Sequence, residues 1–424
     1  MRIKFLSAIA SILFVSIAIT ACLDSNNTYE YSSDATIHAF GIDTIHGKYY
    51  KFTIDQLTRT IYNVDSLPVG SDTIIDRILI DTLSVTGIVT SGENDTIFQI
   101  RDSVDLRQPL KLKVHATDGI TTREYTIKVN VHKQDPDSLV WVNMEQPLPN
   151  TPIEQQKSVI LNGNQLLVFT SYDDVYQATT DISPFQWQHQ TVTGLPTDIK
   201  LSSITNFQEK LYIVTESGKT FSSSNGLTWQ EVSTLGMQTV TLVTSFPDKL
   251  IGIQNVNGEN YFCTSSDGLV WTYKEENEYK VSPNFPINDI YSTVFTTKNG
   301  VEKAVVVGNT TNEGTATVPW FSMDGASWTS LDTPDTYCPK MENPCIMYYG
   351  EAFYIMGGEF NAIYKSLAGI AWYETKTKFL LPKAMKENNA YSMAIDKNNY
   401  IWIIIGQQNS VWRGRLNRLG FKNQ

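Results

Sequence analysis

Arginine is absent from most of the chain, since none occurs between Glu124 and Trp412. The 424 residues carry 33 Lys and Arg against 44 Asp and Glu, a formal net charge of -11, and no run of Lys and Arg appears. A protein that binds nucleic acid needs a clustered basic face to neutralise phosphates. We therefore predict that nucleic acid is not a partner.

Histidine is also scarce, with five in the chain and only His189 after residue 138. A Ser-His-Asp triad or a histidine-ligated metal needs a histidine inside a site. His189 follows Trp187 on what we expect to be an outer strand, where it would be a surface residue. We predict no metal, no cofactor and no catalytic set, although Asp and Glu are numerous enough for carboxylate chemistry.

Only four cysteines are present. Cys338 and Cys345 bracket the segment "CPKMENPC" and could form a disulfide in an oxidising compartment. Cys263 alternates with Tyr261 in a strand pattern, so we expect a buried, unreactive thiol there.

Long apolar runs are confined to the first residues. Arg2 and Lys4 precede the apolar run from Phe5 to Thr20, which is short for a membrane span. The following "ITAC" resembles the lipobox of bacterial lipoproteins, which implies that residues 1–21 are a signal peptide and that Cys22 is lipidated. An ordinary secretory signal is the alternative. Residues 22–30 would then be a tether to the outer membrane, facing either the periplasm or the cell surface.

Helical periodicity is missing from residues 31–132, where short runs such as "LKLKVHA" and "REYTIKVNV" alternate apolar and polar residues. This pattern predicts an Ig-like β-sandwich. The closing hairpin is similar to that of the Ig-like or cadherin-like modules of Bacteroidota lipoproteins. Residues 133–138, "KQDPDS", are expected to form a linker.

Asp-(Ser/Thr)-apolar triplets are unusually frequent in this region and in the linker. They resemble the O-glycosylation acceptor pattern of Bacteroidota, which implies glycans on the hydroxyls. The alternative is that Asp ends a turn and the next residues begin a strand. The candidate hydroxyls belong to Thr44, Ser66, Thr73, Thr82, Thr96, Ser103 and Ser138.

A repeat of about 42 residues follows the linker, with tryptophans at 187, 229, 271, 328 and 372. This period is typical of a four-stranded propeller blade. A sixth copy, "YIWIIIGQQNSVWRGRLN", stops before a fourth strand, and the strand at residues 139–145 could supply it. We predict an all-β chain with a six-bladed β-propeller over residues 139–424, or seven blades if the long interval before Trp328 contains another.

The pattern Ser-x-Asp-Gly-x-x-Trp within the repeat resembles the Asp-box of sialidases and sortilin-type receptors. That resemblance implies a structural turn between the third and fourth strands of a blade. One copy has Asn in the acidic position, another has Ala368, and the first is stretched to Asp181. The residues concerned are Ser265, Asp267, Gly268 and Trp271, then Ser322, Asp324, Gly325 and Trp328, and in an earlier copy Asn225, Gly226 and Trp229.

Sialidase activity is disfavoured, because that family clamps its substrate carboxylate with three arginines from separate blades. Here the propeller arginines are Arg413, Arg415 and Arg418, which lie within six residues. The loops opposite the Asp-boxes carry aromatic rings beside amides and carboxylates, which suit a glycan or peptide ligand. We predict ligand contacts at Tyr172, Asp174, Tyr279, Phe285, Tyr337, Phe360, Asn361 and Gln408.

The sequence thus predicts a lipid-anchored cell-envelope protein whose propeller binds an extracellular glycan or protein without catalysis. An atypical glycoside hydrolase or lyase is the alternative function. A structural envelope scaffold is the third.

Overall fold

The structure is a computed structural model that describes residues 31–91, 94–148, 153–232, 238–309, 316–332, 338–385, 390–406, 408 and 410–421. The predicted signal peptide, the tether with Cys22, and Tyr337 lie outside the described residues. Within the described ranges, no helix has the length and apolar character needed to cross a membrane. The chain divides into two compact units, Met1–Asp135 and Pro136–Gln424.

The N-terminal unit is built from strands and two short 3-10 helices. A five-stranded sheet has the order β2-β3-β7-β6-β5, and β1 pairs with β4 in a second, two-stranded sheet. The pairing of β3 with β7 is parallel, and the other pairs are antiparallel. Its elements are β1 (Ile37–Gly41), β2 (Phe52–Asp55), β3 (Thr60–Asn63), the 3-10 helices Ser71–Thr73 and Ile75–Arg77, β4 (Thr82–Val85), β5 (Ile88–Ser91), β6 (Leu110–His115) and β7 (Thr122–Lys128).

Alternation along the strands produces the core of this unit. In β6, Leu112 and Val114 are fully buried while Lys111 is exposed, as the period of two predicts. Phe40 of β1 meets Phe52 of β2 edge to face, with ring centroids 5.1 Å apart, so the two sheets share one apolar core. The assignment of this unit to the Ig-like class stays a prediction.

The C-terminal unit begins with β8 (Leu139–Asn143) and continues as a series of four-stranded sheets. Sheet 1 contains β9 (Lys157–Leu161), β10 (Gln165–Phe169), β11 (Asp174–Thr179) and β12 (Gln188–Thr191). After the 3-10 helix Leu201–Ser203, sheet 2 contains β13 (Thr205–Phe207), β14 (Lys210–Val214), β15 (Thr220–Ser223) and β16 (Gln230–Val232). Sheet 3 contains β17 (Gln238–Ser245), β18 (Leu250–Val256), β19 (Glu259–Ser265) and β20 (Thr272–Tyr273), and the 3-10 helix Asn277–Tyr279 follows it.

The second half of the unit repeats this organisation. The next strands are β21 (Asn288–Thr296), β22 (Glu302–Asn309), β23 (Ala316–Thr317), β24 (Trp320–Ser322), β25 (Thr329–Ser330) and β26 (Cys338–Pro339). Sheet 4 has the order β21-β22-β24-β25, and β23 pairs with β26 beside it. Sheet 5 contains β27 (Cys345–Tyr349), β28 (Ala352–Met356), β29 (Tyr364–Ser366) and β30 (Tyr373–Glu374). Sheet 6 contains β31 (Tyr391–Ile395), β32 (Ile401–Ile405), β33 (Ser410–Leu416) and β8, and a 3-10 helix, Asn417–Gly420, ends the fold.

Adjacent sheets are held together by apolar layers. The second strands are almost wholly apolar, because in a stack of sheets both of their faces are buried. A cluster of buried side chains lies between each sheet and the next along the chain. A further cluster joins the last sheet to the first, where Trp402 and Ile404 of sheet 6 pack with Leu166 and Val168 of sheet 1. The sheets therefore form a ring.

Sheet 6 takes its outer strand from the start of the unit. β8 pairs antiparallel with β33, with Leu139 opposite Leu416 and Asn143 opposite Trp412. Trp141 lies across Gly414, where an added Cβ would come within 2.5 Å of the indole ring. The Trp141 indole also donates to the carbonyl of Leu380, at 2.8 Å. β8 thus ties the two ends of the unit together.

The proposed disulfide between Cys338 and Cys345 is corrected by the structure, in which both are free, buried thiols. Cys338 belongs to the apolar layer between sheets 4 and 5, whereas Cys345 belongs to the layer between sheets 5 and 6. The two thiols therefore lie on opposite sides of sheet 5. Cys345 instead contacts Met393, with the two sulfur atoms 3.8 Å apart.

The three described cysteines should resist thiol reagents in the folded protein. Burial raises the pKa of Cys338 and of Cys345 to about 12, and it raises the pKa of Cys263 well above its ordinary value. In a Cys22→Ser variant we expect no rapid reaction with a chromogenic thiol reagent under native conditions, and three reacting thiols in denaturant without reductant. If only one thiol reacted in denaturant, the result would instead support a disulfide between Cys338 and Cys345.

Candidate functional site

The predicted Asp-box of sheet 3 is a hydrogen-bonded turn between β19 and β20. One carboxylate oxygen of Asp267 accepts from the backbone amides of Leu269 and Val270, at 2.7 and 2.9 Å. The Ser265 hydroxyl oxygen accepts from the amide of Gly268 at 2.9 Å and donates to Asp267 at 3.1 Å. The hydrogen bonds from the backbone amides of Val270 and Leu269 hold the pKa of Asp267 below its ordinary value. The carboxylate thus makes its hydrogen bonds within its own turn.

The same geometry recurs in neighbouring sheets with different chemistry at the acidic position. Asp324 accepts from the amides of Ala326 and Ser327, both at 2.9 Å. Asn225 replaces the carboxylate with an amide oxygen that accepts from Leu227 and Thr228 at 2.9 and 3.0 Å. In the copy with Ala368, the amide of Gly369 still donates to the Ser366 hydroxyl at 2.9 Å, while Ala368 has no side-chain acceptor for the turn amides. A turn that works with Asp, Asn or Ala does not need a carboxylate for chemistry.

In three of the turns the glycine also sets how closely one sheet approaches the sheet before it. Gly226, Gly268 and Gly325 have φ near +75°, which L side chains rarely adopt. A Cβ on Gly268 would come within 2.4 Å of the Tyr212 ring in sheet 2, and one on Gly325 within 2.3 Å of Ile251 in sheet 3. The buried tryptophans Trp229 and Trp271 pack in the same layers between sheets, while Trp328 is half-buried.

The predicted ligand residues do not form one surface. Phe285 is 2% exposed and packs edge to face against Phe262 between sheets 3 and 4, so its predicted ligand contact is wrong. Phe360 is 6% exposed and packs against Tyr391, which corrects the same prediction there. Tyr279 borders a small pocket with Ala326 of the turn between β24 and β25, away from the loops between second and third strands.

The remaining predicted residues lie on or beside loops between second and third strands. Asn361 is exposed and Gln408 is half-buried. Tyr172 is exposed in the loop between β10 and β11, and Asp174 begins β11 directly after it. Tyr172 and Asp174 are thus brought together on sheet 1.

A cleft of about 950 Å³ opens beside Asp174 on sheet 1. Its walls come from three segments: the chain leading into β9, the β10–β11 loop, and the outer strands β11 and β12. Its lining residues are Ile153, Glu154, Gln155, Thr170, Ser171, Asp173, Asp174, Tyr176, His189 and Thr191. The lining carries three carboxylates and several hydroxyls, with one imidazole.

A histidine, an aspartate and a tyrosine form the floor of this cleft. The register of β11 and β12 sets Tyr176 opposite His189, and their rings stack with centroids 4.9 Å apart. His189 Nε2 hydrogen-bonds to one oxygen of Asp174, and the Thr170 hydroxyl donates to the other oxygen. Tyr176 is fully buried, whereas the His189 side chain is 47% exposed. A flat ring with fixed orientation therefore faces the cleft.

Two further carboxylates complete the rim. Asp173 accepts a hydrogen bond from the Ser171 hydroxyl at 2.7 Å, and Glu154 is exposed on the chain that leads into β9. Carboxylates that face solvent accept strongly from hydroxyl and ammonium donors. The cleft is thus suited to a ligand rich in donors, and it repels anions.

His189 is a candidate functional residue that the sequence analysis did not select. Its exposed position on an outer strand was expected, but its partner was not, because Asp174 is fifteen residues away along the chain. The pairing follows only from the register of β11 against β12. In the described residues, no group of three or more His, Cys, Asp or Glu is arranged to hold a metal ion.

The candidate O-glycosylation hydroxyls are all at least partly accessible. Thr44, Thr73, Thr96 and Ser103 are exposed, while Ser66, Thr82 and Ser138 are half-buried. In several triplets the apolar residue makes a β-bridge, as Leu67 does with Val131 and Ile97 does with Thr90. Both explanations of the triplets therefore stay open.

Comparison with family models identifies both units. Residues 135–424 match the model described as the DUF6242 beta propeller domain, and residues 22–129 match the model of the DUF6242 N-terminal domain, a domain of unknown function. The chain belongs to the DUF6242 family. Its C-terminal unit is therefore a β-propeller domain, as the repeat predicted. No curated protein matches the chain.

Solved structures similar to this DUF6242 chain are distant in sequence. A catalytically inactive virginiamycin B lyase from Staphylococcus aureus with quinupristin is 10% identical, with a TM-score of 0.40, over 77% of this chain and 93% of that one. YCF48 bound to D1 peptide is 14% identical, with a TM-score of 0.40, over 66% and 98%. A Trichoderma reesei protein of Carbohydrate-Active Enzymes Family AA12 is 10% identical, with a TM-score of 0.41, over 66% and 98%.

The Asp267 carboxylate should contribute to stability and not to ligand binding. Asp267→Ala leaves two turn amides without their acceptor, so we expect the free energy of unfolding to fall by about 1 kcal/mol in denaturant titrations. Asp267→Asn should stay within about 0.5 kcal/mol of the wild type, because Asn225 makes the same bonds in sheet 2.

The stability difference between wild type and Asp267→Ala should also depend on pH. The pKa of Asp267 is lowered in the folded protein, so its contribution is complete above the unfolded pKa of about 3.9 and is lost as pH falls through the folded pKa. Loss of ligand binding at unchanged stability would instead assign Asp267 a role in the site.

Proposed function

We propose that the DUF6242 propeller has six blades, one for each four-stranded sheet, and that it binds an uncharged glycan in the cleft of sheet 1. The observation that carries this proposal is the juxtaposition of the fixed His189 ring with the carboxylates of Asp173, Asp174 and Glu154. Sugars present apolar C–H faces that stack on rings and hydroxyls that donate to carboxylates. A cleft of about 950 Å³ accommodates more than one sugar ring.

Charge supports an uncharged ligand over an acidic one. The cleft lining contains three acidic side chains and no lysine or arginine. An anionic sugar would be repelled, and in sialidases the substrate carboxylate is met by arginines that this cleft lacks. The ligand of the proposed site is therefore a neutral oligosaccharide.

The site would be displayed by an envelope lipoprotein. The lipobox-like "ITAC" and the preceding apolar run support lipidation of Cys22, with the Ig-like unit between the anchor and the propeller. In this proposal the protein belongs to the outer membrane of a Bacteroidota-like bacterium and holds a glycan near that membrane. The accessible Asp-(Ser/Thr) hydroxyls would carry the protein's own O-glycans.

A glycoside hydrolase or lyase is the second candidate function. It is favoured by one observation, the hydrogen bond between His189 and Asp174 inside a cleft with further carboxylates. A carboxylate that orients an imidazole is an arrangement used for general base catalysis. Binding without turnover is the simpler function, because Asp173 and Asp174 already accept hydrogen bonds from side chains of the cleft, whereas a glycoside hydrolase needs two carboxylates available for acid and base chemistry.

Binding to a panel of neutral polysaccharides and oligosaccharides tests the proposal. His189→Ala and Asp174→Ala should each weaken the binding of a neutral oligosaccharide at least tenfold, which is about 1.4 kcal/mol, in calorimetric titrations. The matched control is Glu231→Ala, because Glu231 lies opposite Phe221 in sheet 2 at the register that His189 occupies opposite Tyr176 in sheet 1. That control should leave affinity unchanged.

Three outcomes of the panel decide between the functions. Saturable binding without products supports the binding function. If the wild type releases reducing ends or unsaturated products and the His189→Ala variant does not, the result supports the glycoside hydrolase or lyase function. No neutral glycan bound, or equal losses in Glu231→Ala, refutes the site.

A further inference from the structure

A lysine lies buried at the axis of the propeller. Lys157 begins β9, the inner strand of sheet 1, and is 9% exposed. Its ammonium group donates to the carbonyl of Ile290 at 3.1 Å and lies 4.2 Å from the centre of the Tyr291 ring. Both partners belong to β21, the inner strand of sheet 4. The lysine side chain therefore extends from sheet 1 to sheet 4 within the central channel.

The ammonium group has no anionic partner in the described part of the chain. No carboxylate lies within ion-pair distance of Lys157, whereas Lys200 pairs with Glu216 at 3.2 Å. A charge removed from water without a counter-ion costs free energy, and one carbonyl and one ring face offset only part of that cost. The exposed Asp289 carboxylate acts on Lys157 only from outside ion-pair distance, so the ammonium group has no counter-ion in contact with it.

The charge nevertheless persists at neutral pH. Burial lowers the pKa of Lys157 to about 8, with Asp289 offsetting part of the shift, so the protonated form dominates at pH 7. One of its three N–H donors is used by Ile290, which leaves two for a ligand.

A cavity of about 200 Å³ adjoins the ammonium group. Side chains from sheets 2, 3, 4 and 6 line it together with Lys157, and no acidic residue is among them. Thr244 and Ser292 line this cavity, and their hydroxyls make no hydrogen bond within the described residues. The cavity therefore offers a cation and unused hydroxyl donors in a space equal to roughly six or seven waters.

We propose that this axial cavity is a binding site for a small organic carboxylate, held by the Lys157 ammonium group. The carboxylate supplies the missing counter-charge, and its short carbon chain lies against the apolar part of the lining, which includes Leu242 and Met393. The volume limits the ligand to small monocarboxylates such as acetate, propionate or pyruvate. This site is separate from the cleft of sheet 1 and does not depend on its function.

Titration of the purified full chain with acetate, propionate, pyruvate, chloride and phosphate tests the proposal. By calorimetry or by ligand-observed NMR, wild type should bind at least one of the carboxylates saturably. Lys157→Met, which keeps the length and apolar stem of the side chain, should weaken that binding at least tenfold. The matched control Lys200→Met removes a half-buried lysine that already has a carboxylate partner, and it should bind as wild type does.

A second pair of variants keeps the test decisive if Lys157→Met does not fold. Thr244→Val and Ser292→Ala keep the ammonium group and remove hydroxyl donors, so each should weaken carboxylate binding severalfold with an unchanged circular dichroism spectrum. No carboxylate binding by wild type up to 50 mM, binding of inorganic anions only, or undiminished affinity in a folded Lys157→Met protein would each overturn the proposal. Should Lys157→Met fail to fold, undiminished affinity in both hydroxyl variants would overturn it.

Discussion

The pairing of β8 with β33 is the constraint on which the rest of the C-terminal unit depends. A stack of sheets without it would end in an unpaired strand, and sheet 6 would lack its outer strand. Closure also juxtaposes sheet 6 and sheet 1, where Trp402 and Ile404 pack with Leu166 and Val168. The chain that leaves β8 then passes Ile153 and Glu154 before it enters β9. One wall of the sheet 1 cleft therefore exists because the ring closes in this register.

The turns marked by the repeat explain how neighbouring sheets keep their spacing. The tryptophan and the acidic residue define the repeat in the sequence, but the glycine is the residue that comes closest to the preceding sheet. Gly268 lies against Tyr212 and Gly325 lies against Ile251, so these two turns pack on the second strand of the preceding sheet. The side chain at the acidic position only satisfies turn amides, which explains why Asn225 and Ala368 are tolerated. The repeat is conserved in geometry within this one chain while its polar chemistry varies.

Local patterns in the sequence were sufficient to predict the propeller, but they were insufficient to predict the candidate site. A 42-residue period and strand alternation depend on near neighbours, and they predicted the β-propeller domain correctly. The positions of the loop aromatics were not predicted correctly, because Phe285 and Phe360 pack in the apolar layers between sheets. The bond between His189 and Asp174 and the passage of Lys157 towards Tyr291 depend on register and on ring closure. Cys338 and Cys345 lie close in sequence, yet sheet 5 separates them.

Hydrogen exchange of the full chain, followed by mass spectrometry, tests the closed ring most directly. If β8 completes sheet 6, the amides of this edge strand that face β33, those of Val140 and Val142, exchange as slowly as the amides of β32, through unfolding of the whole C-terminal unit. The account would be contradicted if residues 139–143 exchanged within seconds, as an unpaired segment does, while residues 401–405 stayed protected.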